Sequence, residues 1–227
     1  MTETEVLALI EQNKNERGIK HWEKNPYKGN LLSHGLGITQ IKNIAKKIKK
    51  NHDLALELWK SDYFEAKFLA TLIEEPKKVT REQVEHQVPE LGFWMLANGY
   101  VSNLLSALSF ADELSDRWRK SDDHIRRRCG YLLLYGAGKS FASRNEDFYL
   151  EIISDIENKL QGEENFVKDA MNNALYGIGR INKKLNARVI EAAGRIGKIS
   201  VDYGDNSCEP LDILKHLTNE RIQNSLS

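Results

Sequence analysis

The chain has 227 residues, 33 of them basic and 33 acidic, so it carries no formal net charge and no global field draws it towards a polyanion; any such site must come from local segregation of charge. At 41% hydrophobic and 29% charged, the composition is that of an ordinary folded protein and excludes a disordered one. No apolar run reaches the roughly 18–20 residues of a membrane span. The acidic start Met1-Thr2-Glu3-Thr4-Glu5 lacks the basic and apolar regions of a signal peptide. Cys129 and Cys208 lie far apart, and a reduced cytoplasm is the expected location.

Only four prolines occur, and none between 90 and 209, which leaves room for many helices because Pro is the strongest helix breaker. Ile38, Ile41, Ile44, Ala45 and Ile48 fall on one helical face. Leu54, Leu58 and Trp59 begin the next pattern, and Tyr63, Phe64, Phe68, Leu69 and Leu72 follow, ended by Pro76. Thr80 with Gln83 predicts a capping box for a segment running towards Pro89. Further helical patterns cover 92–110, 111–119, 123–135, 147–161, 165–180 and 184–199, with a short one after Pro210. Ser121-Asp122-Asp123 is an N-terminal capping signal; Gly136-Ala137-Gly138 closes one helix and Gly162 separates two others. Such short links force consecutive helices to pack as antiparallel neighbours. Helix pairs recur about every 30–37 residues, the range of HEAT-type units. The predicted fold is all-α, a HEAT-like helical-repeat solenoid with a concave groove, in a single domain spanning 1–227.

Basic side chains gather in three places. Lys42, Lys46 and Lys49 share an arc beside the isoleucine face. Lys184, Arg188 and Arg195 share another, with Glu191 among them. With Ile125, Cys129 and Leu132 turned inward, Arg126 and Arg128 flank the next helix and Arg127 faces water. Each stripe alone reads as a solvated face; together, on the inner helices of a solenoid, they could neutralise successive phosphates. On the 165–180 helix, Phe166, Ala170, Ala174 and Ile178 define the buried side, and Asp169, Asn173, Tyr176 and Arg180 lie together on the other. An amide, a phenol and a guanidinium on one stripe could hold a base edge or phosphate; the alternative is a surface helix with Asp169 serving its N-terminus.

Constellations for independent chemistry are poor. The six histidines are scattered and no Cys cluster exists, so no zinc or other metal is expected, and no cofactor. There is no Gly-rich loop following a strand and no G-x-S-x-G nucleophile elbow. From the residues alone, no enzyme is found.

The stretch Gly35-Leu36-Gly37-Ile38 leading into Ile41–Ile48, then 54–59, the aromatic-rich segment from Tyr63 to Ile73, and Ser121-Asp122 followed by Arg126-Arg127-Arg128-Cys129 together resemble the AlkD-like branch of the DNA alkylation repair enzymes over roughly residues 30–200. Asp169-Ala170-Met171-Asn172-Asn173 and the tail from Val201 to Cys208 are similar to a less characterised subgroup of that family. The resemblance implies a basic groove for double-stranded DNA, held by its phosphate backbone, with Arg128 as the groove-facing arginine. It also implies a carboxylate that stabilises an oxocarbenium-like transition state, with aromatic residues bordering the lesion. In this chain Leu105 stands where the carboxylate belongs, Val101 where one aromatic belongs (Tyr100 is its neighbour), and Asn173 at the second aromatic site. The catalytic set is therefore unknown. The expected function is DNA binding at damaged or distorted sites with weak or no classical base excision. The DNA-contacting set is Lys42, Lys46, Tyr100, Arg128, Asn173, Tyr176, Arg180, Lys184 and Arg188. An alkylpurine glycosylase with rearranged residues, Asp169 its nearest carboxylate, and a scaffold for a protein partner both stay open.

Overall fold

A computed structural model describes residues 1–136, 141 and 144–226. Among these, the regular structure is helical, with one isolated bridge between Leu32 and Tyr63. The expected Gly136-Ala137-Gly138 closure is described only at Gly136, which caps its helix; Ala137 and Gly138 lie outside the described residues. The chain forms two compact units, Met1–Leu108 with Gly204–Asn206, and Ser109–Tyr203 with Ser207–Ser227.

The first unit holds α1 (Glu3–Gln12), α2 (Glu16–Glu23), α3 (Ile38–Ile48), α4 (His52–Trp59), α5 (Phe64–Ile73), α6 (Arg81–Gln87) and α7 (Trp94–Asn103). The acidic N-terminus is a helix start: the Thr2 hydroxyl accepts from the Glu5 N–H, and the Glu5 carboxylate accepts from the Thr2 N–H. Helix α5 is the centre, packed by α3, α4 and α7, with Phe64, Phe68, Leu69 and Ile73 buried. Gly99 lets α7 close on it, since a Cβ there would sit 2.3 Å from the Phe68 ring. Two expectations are corrected. Thr80 caps α6 by accepting from the Gln83 N–H, but the Gln83 amide donates to Glu74, so the reciprocal half of the box is absent. The single helix expected over 92–110 breaks at Leu104, which leaves helical geometry (φ −124, ψ −65) for a 3-10 turn over Leu105–Ala107. The Ser106 hydroxyl donates to the Val101 carbonyl at 2.8 Å, satisfying a carbonyl near the end of α7.

The second unit holds α8 (Ala111–Trp118), α9 (His124–Tyr135), α10 (Glu146–Lys159), α11 (Asn165–Ile178), α12 (Lys183–Ile196), α13 (Ile213–Leu217) and α14 (Glu220–Gln223). Asp123 caps α9 by accepting from the Arg126 N–H, as the acidic signal implied. Helices α9, α11 and α13 make one row, while α10 and α12 pack side by side in another; α8 pairs with α9 and α12 with α13. This is the two-layer stacking of helix pairs in a repeat fold. The contact between α9 and α11 is close because Gly177 presents no side chain: a Cβ there would be 2.3 Å from the Leu134 carbonyl oxygen.

Candidate functional site

The polar stripe of α11 is the best-organised surface of the second unit. Ala170, Ala174 and Ile178 are fully buried on its opposite side, so Asp169, Asn173 and Tyr176 share the other face at spacings of four and three residues, and Arg180, two residues past the helix end at Ile178, stacks on Tyr176.

Its C-terminal half is an aromatic platform. The Tyr176 ring lies 5.8 Å from that of Tyr135 on α9 and 6.0 Å from the edge-on ring of His216 on α13. The Arg180 guanidinium stands 5.3 Å over the Tyr176 ring, within cation–π range. Tyr135, Arg180 and His216 are exposed and Tyr176 is half-buried. The platform depends on Gly177, which brings the α9 backbone at Tyr135 alongside α11.

The N-terminal half is covered. Asp202 and Tyr203 lie along it. The Asn165 side chain donates to the Asp202 carbonyl at 2.6 Å and accepts from the Asp202 N–H at 2.8 Å. The Tyr203 hydroxyl donates to the Asp169 carboxylate at 2.7 Å, and its ring lies 6.2 Å from Phe166. Beneath, the Arg128 guanidinium stacks 5.1 Å over Phe166. Burial pushes the Asp169 carboxyl up, against the Tyr203 hydrogen bond, the Arg128 charge and the Asn173 hydrogen bond, which pull it down. Burial lowers Arg128 to about 10, so it stays cationic at neutral pH.

The DNA-contacting residues drawn from the sequence therefore separate. Asn173 and Tyr176 come together on α11, and Arg180 joins them from just past its end. Arg128 is corrected: it is 3% exposed, turned under the tail rather than outward, because Phe166 and Asp169 offer its planar cation a ring and a carboxylate. Phe166, expected on the buried side, is half-buried beside it. Arg127, expected to face water, forks onto Glu163 at 2.9 and 3.2 Å and donates to the Ser121 and Asp122 carbonyls. Tyr100 is closed off from any ligand; it is fully buried with its hydroxyl donating to Gln87 at 2.7 Å. Leu105 and Val101 are buried as well.

Lys184, Arg188 and Arg195 of α12 pair with two acids of α10. Lys184 pairs with Glu146 at 2.5 Å, Arg188 with Glu157 at 2.8 Å, and Arg195 with the same Glu157; hydrogen bonds from Arg195 and then Arg188 hold the Glu157 carboxyl down at about 2. Lys42 and Lys46 are exposed on α3 of the first unit. Tyr135 and His216 were not singled out from sequence. The signal for Tyr135 was an aromatic at the last position before the closing Gly136; His216 carried none.

Among the described residues, no cluster of three or more His, Cys, Asp or Glu could hold a metal, and no helix is long and apolar enough to cross a membrane.

Compared with known proteins, residues 6–204 match the family model described as DNA alkylation repair enzyme. An uncharacterized protein of Listeria innocua is 27% identical over 222 residues, covering 96% of this chain and 95% of its own length. One from Listeria monocytogenes is 25% identical with the same coverage. A solved structure from a family described as related to the HEAT-like repeat DNA glycosylases, with affinity for branched DNA structures, superposes with a TM-score of 0.83 at 24% identity, covering 100% of this chain and 96% of its own. The fold is thus of the HEAT-like repeat type.

Proposed function

This chain belongs to the DNA alkylation repair enzyme family, and from that premise we propose that it is a cytoplasmic DNA-binding protein that grips branched or distorted duplexes through the α11 stripe, with weak or no classical base excision. The platform of Tyr135, Tyr176, His216 and Arg180 carries this reading. Branch points expose unstacked bases, and aromatic faces capture such bases without regard to sequence. The structural relative's affinity for branched DNA supports the same choice of substrate.

Charge supports it from the other side. Lys184, Arg188 and Arg195 of α12 pair with two α10 carboxylates, Glu146 and Glu157, and the chain as a whole is neutral. Phosphate neutralisation is then the smaller contribution, and the logarithm of affinity should fall with log salt on a shallow slope. Weak or no excision is favoured by the burial of Leu105, where the family resemblance puts the carboxylate, and by the engagement of the candidate carboxylate Asp169 with Tyr203.

Binding of a fluorescent four-way junction, titrated with salt, tests the reading. Tyr176→Ala should weaken binding by about 1–3 kcal/mol, roughly 5- to 150-fold, with the salt slope retained. Arg180→Ala should reduce that slope by about 1 if the guanidinium meets a phosphate. Neither variant changing affinity would remove the platform from the interface. Nuclease-resistant capture of a protein, with no junction binding at low salt, would replace the reading with a protein scaffold.

A further inference from the structure

The second unit holds a cavity that the aromatic platform does not use. Its volume is about 570 Å³, within the span of small-molecule sites, about 300 to 1,000 Å³. Tyr135, Tyr176, Arg180 and His216 do not line it. Two segments that stood out in the sequence meet there instead: Asn172 comes from the motif at 169–173, and Val201 and Cys208 from the two ends of the tail motif.

The walls of the cavity are pinned. Helix α12 ends at Ile196, and Gly197 takes φ +73, a conformation that favours glycine, so the chain turns off the helix to form one wall. The Gln161 side-chain amide donates to the Ile196 and Lys198 carbonyls at 2.9 and 3.3 Å. The other wall is the segment entering α13. There the Asn172 amide donates to the Leu211 carbonyl at 2.8 Å, and the Asp212 carboxylate accepts from the Lys215 N–H. A cavity held in this way exists before a guest arrives, which lowers the cost of binding.

The lining selects the guest. Ile196, Ile199, Val201, Pro210, Leu211 and Ile213 make aliphatic walls, and no aromatic ring lines the cavity. Its charged residues, Lys198, Glu209 and Asp212, are exposed and of both signs, so an uncharged molecule is favoured over an ion. Asn172 is fully buried. Because its Nδ2 is committed to the Leu211 carbonyl, the two ends of the amide are fixed, and Oδ1 is left buried with no hydrogen-bond partner. A buried carbonyl oxygen without a donor is costly. Bulk water does not reach it; a donor seated in the cavity against Asn172 does. On the other wall, the N–H groups of Ile199, Ser200 and Val201 have no acceptor among the described residues, so a guest carbonyl has donors to meet. One N–H to give and one carbonyl to place, on an apolar body, describe a carboxamide. We infer that this cavity is a binding site for a small uncharged carboxamide, with its N–H donated to Asn172 Oδ1 and its apolar body held between the aliphatic walls.

A matched pair of probes tests the assignment. Cyclohexanecarboxamide carries the donor; methyl cyclohexanecarboxylate keeps the ring and the carbonyl and lacks the N–H. Titrated into isotopically labelled protein and followed by NMR, the carboxamide should saturably shift the backbone resonances of Gly194, Gly197, Leu211 and Leu214. It should bind about 2- to 12-fold more tightly than the ester, the net worth of one hydrogen bond. Gly194→Phe gives the control from the protein side. Gly194 lines the cavity, and nothing lies within 4 Å of a Cβ added to it, so a ring there enters open space and takes up the site. That variant, verified as folded by its thermal melt, should lose the carboxamide shifts. The comparison of probes is made on the unaltered protein and stands whether or not the variant folds. Equal or weaker binding of the carboxamide would overturn the role of Asn172 and the choice of guest. No shifts up to the solubility of the probe, or shifts that persist in folded Gly194→Phe, would overturn the site itself.

Discussion

Alanine at Arg128 should cost the fold about 3–5 kcal/mol, the penalty for removing one member of a buried set of charges, and should leave the salt slope of DNA binding by the folded fraction unchanged. The guanidinium is 3% exposed and stacked on Phe166, and its charge lowers the Asp169 carboxyl that burial raises. With the cation gone, Asp169 keeps the cost of burial and loses part of its compensation. A carboxyl raised in the folded state keeps its proton to higher pH than the unfolded chain does. Stability therefore falls as pH rises from the ordinary value of 3.8 through the folded value. The deficit of Arg128→Ala should accordingly shrink on acidification, and Arg128→Met, which keeps an apolar stem over Phe166, should lose less. Urea unfolding at pH 7 and pH 5 checks both. Unaltered stability with a flattened salt slope would mean that Arg128 faces a phosphate, the role implied by its resemblance to the family's groove arginine.

Valine at Gly177 should be almost as damaging, at about 3 kcal/mol, the upper part of the range for overpacking a close contact. The atoms a Cβ would meet are backbone: the Leu134 oxygen at 2.3 Å, Tyr135 Cα at 2.7 Å and the Tyr135 oxygen at 2.8 Å. No rotamer change relieves such a clash, so α9 and α11 must separate. Tyr135 would move away from Tyr176, and junction affinity per folded molecule should fall along with the melting temperature. Gly194 in α12 is the control, with nothing within 4 Å of its added Cβ. Gly194→Ala should be neutral or stabilise by up to about 1 kcal/mol through helix propensity. An unchanged melting temperature for Gly177→Val would mean that α9 and α11 are not in contact there.

What could be read from the chain, and what could not, follows from the range of the forces. The helices from 111 to 199 were legible because their apolar period, Asp123 cap and flanking prolines are local. The common face of Asp169, Asn173 and Tyr176 was legible for the same reason, spacing along one helix; Arg180 reaches it from beyond the helix, which ends at Ile178 and not at 180. The break at Leu104 was not, since no Gly or Pro marks it. Long-range pairing was illegible altogether. Arg188 and Glu157 are 31 residues apart in sequence, and Arg195 and Glu157 are 38 apart; without those acids the α12 stripe looked like free positive charge. Arg128 failed for a related reason. Three consecutive arginines offer several faces to the core, and only Phe166 and Tyr203, distant in sequence, select the one that goes inside. The tail motif around Tyr203 stood out as a family mark, but its contact with α11 depends on Asn165 and Asp169, distant in sequence.

Photocrosslinking a four-way junction that carries 5-iodouracil at the branch point, with the modified peptides mapped by mass spectrometry, would locate the DNA on the protein directly. Adducts are expected at Tyr135, Tyr176 or His216. Adducts confined to α3 around Lys42 and Lys46, or to α12 around Lys184 and Arg188, would contradict the assignment of the α11 stripe as the DNA-facing surface.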